Sequence, residues 1–415
     1  MTKFIDTIIV GGGQGGLSVS YYLRQQGREH VIFEKAHQAA QVWRNRWDSF
    51  TLITPNWMVR MPGAPYQGDD PDAFMTKDEI VTYFESYIKR FKLPITYGVC
   101  VTGVKPDKNG YRVFTNKGDY EAKHVVIAVG IYQQPRMPSC YKKFPTEIQQ
   151  IHSCEYKNPD LLPPGAVLVV GSGQSGSQIA EELYQSGRKV FLSVGKAGRV
   201  PRRYRGLDAA RWMEKLGYFK RLVSELSSPK DKFAGSAHGT GKNGGHTINL
   251  HQFAKEGVIL LGQVEDIKND SLLLKMNLKD NLAKADQFEQ NFVEEIDRYI
   301  ESNDLDFPEE RLPKFTDGYQ AKEIKEIDLK QAGIRTVIWA TGYKFDFSWV
   351  QLPIFDEDGY PIQARGVTEY AGLYFIGLPF LHNGISGVIA GVGDDAAHIA
   401  RVIEKTSQKK FLSFI

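Results

Sequence analysis

One ten-residue pattern occurs twice in this chain, and no other feature constrains the fold as strongly. Residues 7–16 read TIIVGGGQGG and residues 167–176 read VLVVGSGQSG, 160 residues apart. Each is a β-branched run followed by G-x-G-x-x-G: Gly11, Gly13 and Gly16 in the first copy, Gly171, Gly173 and Gly176 in the second. At the same offset Gly27-Arg28 matches Gly187-Arg188. Helical stretches follow (17–26 and 177–186), then second apolar runs (30–33 and 190–192). Strand, glycine turn, helix and strand make the beginning of a βαβ dinucleotide-binding unit. The first glycine permits the tight turn, the second lets backbone approach a pyrophosphate, and the third brings helix against strand. The helix N-terminus then favours the anion. The competing role is a pair of glycine-rich turns without a ligand, and the doubled strand–turn–helix context weighs against it.

The copies differ where the second strand ends. Glu34 stands there in the first unit, where a carboxylate accepts hydrogen bonds from ribose hydroxyls. The same offset puts Val194 in the second unit, preceded by Ser193 and followed by Lys196, Arg199, Arg202, Arg203 and Arg205. A carboxylate repels a 2′-phosphate, whereas guanidinium groups bind one in bidentate fashion. The first unit, with Gly15 and Lys35 beside its core residues, therefore suits FAD. The second, with Gln174 and Ser175, suits NADPH over NADH. A solvated basic loop is the competing role for the arginines.

The chain's 415 residues predict two domains. Short apolar strands end in glycine at 124–130 (Ala128, Gly130) and at 334–343 (Ala340, Thr341, Gly342), and LYFIGL follows at 373–378. The expected fold is α/β, with two Rossmann-type domains and the second inserted into the first. The expected bounds are 1–160 plus 330–415 for the FAD domain and 161–329 for the NADPH domain, with a helical and loop insertion over about 208–330. Thr76-x-x-Glu79 is a capping box for a helix to about Lys92, and Asn109-Gly110 signals a hairpin. Helices are expected over 208–226, 280–301 and 384–405, and a Gly/His/Lys-rich loop over Gly235–Gly245.

Composition narrows the class. A charged fraction of 24% and a hydrophobic fraction of 42% exclude a largely disordered chain. A net charge of +3 argues against a dedicated nucleic-acid protein. Three cysteines, Cys100, Cys140 and Cys154, form no CxxC pair, which excludes a thioredoxin-reductase-like redox centre and a zinc ribbon. No metal site is expected. Without a signal peptide or a membrane-length apolar run, a cytoplasmic protein is expected, with a homodimer as one possible assembly.

The two Rossmann units, the valine-rich strand ending at Gly130 and the Ala340-Thr341-Gly342-Tyr343 segment together resemble the class B flavoprotein monooxygenases, a superfamily that includes flavin-containing monooxygenases, plant YUCCA-type enzymes, N-hydroxylases and Baeyer–Villiger enzymes. The likeness runs over essentially the whole chain and is weakest at 208–330. It implies resident FAD, NADPH as hydride donor, dioxygen as oxidant and a C4a-(hydro)peroxyflavin that oxygenates a small molecule. Trp43 and Arg44 fall where these proteins have a W-R pair beside the flavin, and Val101 where backbone holds the adenine. The pattern F-x-G-x-x-x-H-x-x-x-(Y/F) survives only at His152 and Tyr156, since Thr146 and Ile148 replace its Phe and Gly. His152 is thus a candidate for orienting the linker or NADP, against a backbone-satisfied linker histidine. The asparagine that steadies the flavin peroxide aligns with Pro55, leaving Asn56 next door as the candidate, against a turn asparagine beside proline. Trp43, Trp47, Trp57 and Tyr66 are candidates to exclude water, against ordinary core packing. Trp57, His382 and Asn383 are the candidate substrate contacts, and a helix N-terminus near Gly384–Gly387 is expected to face the flavin. The alternatives are a flavin reductase or oxidase that passes electrons to a quinone or other acceptor, and a non-catalytic nucleotide sensor.

Overall fold

The computed structural model describes residues 3–233 and 237–412, with side chains described as far as Thr406. Two sheets carry the architecture. In the first, Lys3–Val10 lies between His30–Glu34 and Gly118–Ile127, and pairs in parallel with both (Thr7 with His30 and with His124). Ile95–Tyr97 extends the sheet beyond His30–Glu34, and Leu373–Phe375 pairs in parallel with Val125–Ile127. Ile8, Ile9 and Val10 are buried, as a parallel strand covered on both faces requires. The expected hairpin forms between Val101–Asp107 and Gly110–Thr115 and joins the long Gly118–Ile127 strand antiparallel.

The second sheet is wholly parallel. Its order is Gln149–His152, Ile334–Trp339, Ala166–Val170, Val190–Ser193, Ile259–Leu261. Matched from the central strands Lys3–Val10 and Ala166–Val170 outward, the second sheet repeats the parallel part of the first position for position. Ile334–Trp339 thus occupies the place that residues 124–127 occupy in the first sheet. This corrects the expected division of the chain. Bounds near 160 and 330 cut Gln149–His152 and Ile334–Trp339 away from the sheet to which they are hydrogen-bonded. The chain passes between the sheets twice, and the two passages are paired: Tyr343–Lys344 runs antiparallel to Gln134–Pro135.

Four helices fit or refine the expectations. Thr76 and Glu79 form the capping box of Lys77–Phe91. Leu278–Ser302 is a single 25-residue helix that packs Phe292, Ile296 and Ile300 against Val200, Tyr204 and Trp212. The expected 208–226 helix stops at Lys215, because Leu216 and Gly217 turn the chain and Gly217 takes a positive φ of 79°. Short turns continue beyond it. Similarly, the last helix begins at Val392 and not at Gly384. Residues 384–391 are a tight loop, and a Cβ at Gly391 would lie 2.3 Å from the Ile385 carbonyl oxygen. No helix among the described residues is long and apolar enough to cross a membrane.

Candidate functional site: two glycine cradles

In the first cradle the glycines have three different surroundings. A Cβ at Gly11 would sit 2.6 Å from the Ala128 carbonyl oxygen, and one at Gly16 would sit 2.0 Å from that of Gly11. Real contacts are never this short, so both positions exclude any larger residue. At Gly13 a Cβ would meet nothing within 4 Å. The loop is therefore closed against the protein and open on one side, at the N-terminus of helix Gln14–Gln25, whose free N–H groups attract anions. Glu34 accepts from the Gly12 N–H at 2.7 Å and the Ala36 N–H at 2.8 Å, which fixes its carboxylate at the cradle's rim. Lys35 is exposed beside it. Gly15 packs against Ile376 and Gly377, and Gln14 donates to the Gly387 carbonyl at 2.8 Å, tying the cradle to the 384–391 loop.

The second cradle repeats this geometry. A Cβ at Gly171 would lie 2.6 Å from the Ala340 carbonyl oxygen, one at Gly176 would lie 1.8 Å from that of Gly171, and Gly173 again faces open space. Helix Gln174–Gln185, with Ser175 in its first turn, starts there. No carboxylate braces the rim: Ser172 Oγ accepts the Gly195 N–H at 3.0 Å instead. Ser193 is turned away, donating to the Gly262 carbonyl at 3.1 Å.

The basic run behaves differently from the expectation of a phosphate cluster. Arg199 is buried and bridges Asp286 at 2.6 Å and Glu289 at 2.7 Å, both on helix Leu278–Ser302. Arg202 is buried in a bidentate pair with Asp208 and donates to the Ile53 carbonyl at 2.8 Å. Arg205 pairs with Asp297 at 2.7 Å. Arg203 is exposed but donates to the carbonyls of Gly244 and Gly245, at 2.7 and 2.9 Å. These arginines hold the insertion together. Lys196 is exposed and forms no ion pair among the described residues.

Sequence patterns carried no cofactor signal over 208–305 and assigned that region to substrate access or a lid; of its glycine-rich segment, Gly235 and Ser236 lie outside the described residues. Residues 237–239 of it lie against the second cradle. Gln174 donates to the Ala237 carbonyl, and Gln178 donates to the Gly239 carbonyl at 2.7 Å. His238 donates its Nε2 proton to the Ser172 carbonyl, while its Nδ1 is buried without a partner. Burial pushes this imidazole down to about 4, with the Arg199 charge adding to the effect, so it is neutral at pH 7. No local signal finds such a residue, because its partners are 66 and 40 positions away.

The remaining candidates lie on the passages between the sheets and on other segments of the chain. His152 is 2% exposed. Its Nε2 donates to the Gly342 carbonyl at 3.0 Å, its Nδ1 accepts from the Cys154 N–H at 3.3 Å, and its ring meets Tyr343 edge-on. Burial lowers its pKa. These contacts are those of a linker histidine satisfied by backbone. Thr341 is bonded to the Arg136 carbonyl, and that of Gly130 accepts from Gln133 at 2.7 Å. Arg46, which the patterns did not single out, is buried with its guanidinium 4.5 Å from the Tyr132 ring. Trp43 packs on Phe50 and Phe84, and Arg44 pairs with Glu85. Trp47 is buried in the core and Tyr66 packs at its margin. Val101 opens its strand opposite Thr115.

Asn56 is 5% exposed and donates to the Asp70 carbonyl at 3.0 Å, leaving its own Oδ1 buried and unpaired. Trp57 stands beside it under the Arg211 guanidinium, 4.1 Å from its ring, and near Phe219. The N–H groups of His382 and Asn383 both donate to Ser386 Oγ at 3.1 Å, and Asn383 bridges to Leu222 of the insertion. The structure thus gathers Asn56 and Trp57, the 382–391 loop and the 209–222 segment into one neighbourhood, with Met58, Ala210 and Ala390 packed at its centre.

Residues 8–205 match the pyridine nucleotide-disulphide oxidoreductase family. A CzcO-like oxidoreductase of Geobacillus kaustophilus is 33% identical over 401 residues, covering 96% of this chain and 98% of that protein. The probable indole-3-pyruvate monooxygenase YUCCA8 of Arabidopsis thaliana is 30% identical, covering 95% of this chain and 88% of its own. The chain belongs to the class B flavoprotein monooxygenase superfamily. The flavin-containing monooxygenase from Stenotrophomonas maltophilia has the same fold, with a TM-score of 0.67 at 18% identity over 98% of this chain and 100% of that one. Membership makes this protein a flavin-monooxygenase-type oxidoreductase.

Proposed function

We propose that the protein holds FAD in the Gly11–Gly16 cradle, takes hydride from a nicotinamide coenzyme held by the Gly171–Gly176 cradle, and transfers one oxygen atom of O2 to a small molecule. The observation that carries this reading is the repeated cradle, closed at its outer glycines and open at Gly13 and Gly173. A pyrophosphate fits that opening, and a side chain at either open glycine would fill it. A flavin bound there supplies the redox and oxygen chemistry. Among the superfamily's solved structures, OTEMO is described in complex with FAD and NADP.

The chain's own residues have distinct tasks in this scheme. Glu34 presents carboxylate oxygens to the adenosine ribose, and its two backbone bonds hold it there. Gln14 fixes the 384–391 loop against the first cradle. Asn56 presents an unpaired carbonyl oxygen that lacks any protein donor. His152 acts as a positioning residue that fixes the passage at Gly342. Trp57, Met58, Phe219 and Ala390 make an apolar wall that excludes water, as an oxygen-transfer site needs.

Purified protein is expected to be yellow and to oxidise NADPH, with label from 18O2 appearing in the product when a substrate panel is screened for mass. A protein that takes up no FAD refutes the reading at its base. Reduction of an artificial acceptor without oxygen, with no labelled product under air, replaces it with a reductase. Coenzyme that binds but never bleaches the flavin replaces it with a sensor.

A further inference from the structure

The rim of the second cradle contains a discrepancy between charge and availability. Five cations follow the strand Val190–Ser193, yet four are committed elsewhere. Arg199 faces two carboxylates, Asp286 and Glu289, so that cluster is net negative before His251 is counted and repels a phosphate. Arg202 spends its guanidinium on Asp208 and the Ile53 carbonyl, and its face lies 4.7 Å from the Phe74 ring. Arg205 is paired with Asp297, and Arg203 grips the 244–245 backbone.

The internal duplication shows which atoms stand at the ribose. The residues matching Gly12, Glu34 and Ala36 are Ser172, Val194 and Lys196. In the first unit the Glu34 carboxylate joins Gly12 to Ala36. In the second, Ser172 Oγ takes over the bracing by accepting the Gly195 N–H, and the charge at the rim changes from a carboxylate to the ammonium of Lys196. Val194 is buried and offers neither attraction nor repulsion.

We propose that Lys196 alone reads the 2′-phosphate of the coenzyme, and that the arginines following it are struts of the insertion. This rests on the nicotinamide-coenzyme reading of the second cradle given above. Two consequences separate it from an arginine clamp. A single exposed ammonium is a point charge without bidentate geometry, so discrimination is modest, about two- to fivefold. It is also screened by salt, because the pair is solvated. The unphosphorylated coenzyme meets no carboxylate at this rim and also no charge that it needs, so NADH is accepted as a working reductant.

The test uses FAD-loaded protein and calorimetric titration with adenosine 2′,5′-bisphosphate and with 5′-AMP, at low and at high sodium chloride. The wild type is expected to favour the bisphosphate about two- to fivefold at low salt and to bind both about equally at high salt. In Lys196→Ala the low-salt preference disappears, while 5′-AMP binds as before. Arg203→Ala, which frees only an exposed side chain, leaves the preference in place. A preference that survives Lys196→Ala, or that is lost in Arg203→Ala, overturns the assignment while the coenzyme reading stands. If neither nucleotide binds the wild type, both fall.

Discussion

Replacing Gly173 and Gly176 separately by alanine sets two parts of one cradle against each other. Gly173 has φ −72° and ψ −168°, a conformation that alanine adopts without strain, and its Cβ would meet nothing within 4 Å. Removing a glycine from the unfolded chain stabilises by about 0.4–1 kcal/mol. Gly173 is also the N-cap of helix Gln174–Gln185, where alanine is worse than glycine by about 0.5–1 kcal/mol. The two effects nearly cancel, so the melting temperature of Gly173→Ala is expected within about 2 °C of wild type. Gly176→Ala places a methyl 1.8 Å from the Gly171 carbonyl oxygen, which forces the turn itself to move. Such overpacking costs about 3 kcal/mol, or roughly 6–12 °C for a unit of this size. The alanine methyl at 173 nonetheless stands in the opening that a pyrophosphate needs, so the stabilisation by added NADP+ should vanish. Thermal melts of the FAD-loaded variants with and without NADP+ read both quantities. A Gly173→Ala protein that melts as low as Gly176→Ala, or that keeps the full NADP+ shift, refutes the assignment of the opening.

Three further outcomes are expected. Glu34→Gln keeps one acceptor of the two that brace Gly12 and Ala36, and should weaken FAD retention by about tenfold, measured by flavin fluorescence on dilution. Asp208→Asn leaves Arg202 charged and buried, and should cost about 3–5 kcal/mol in a denaturant titration. The pH dependence has opposing parts. His238, held at about 4 against an ordinary 6.5, binds a proton more readily unfolded, so folding weakens as pH falls from 6.5, by roughly 2–3 kcal/mol at pH 4.5. His246 has a raised pKa because of Glu181, so its stabilisation is present below 6.5 and is lost as pH rises through its folded value. Urea midpoints at several pH values, repeated in Glu181→Gln, separate them: the variant should lose only the His246 part.

Much of the fold was legible in the chain because its strongest signals are local. The glycine spacing, the β-branched strands and the Thr76–Glu79 box each act within a few residues, and each forms as expected. The strand Ile334–Trp339 was assigned to the wrong sheet, since an apolar run states that it is buried but not beside which partner. Its neighbours, Ala166–Val170 and Gln149–His152, lie more than 160 residues earlier. The partners of the basic run were hidden for the same reason. Arg199 finds Asp286 and Glu289 across 87 and 90 residues, and only the packing of helix Leu278–Ser302 brings those carboxylates to it. The place of Glu34 beside the first glycine turn was readable from its position after a strand, whereas that of His238 was not, being set by the tertiary fold alone.

The paired passages between the sheets carry a mechanical consequence. Because Tyr343–Lys344 is hydrogen-bonded to Gln134–Pro135, the two crossings cannot slide apart, and they bend as one strip.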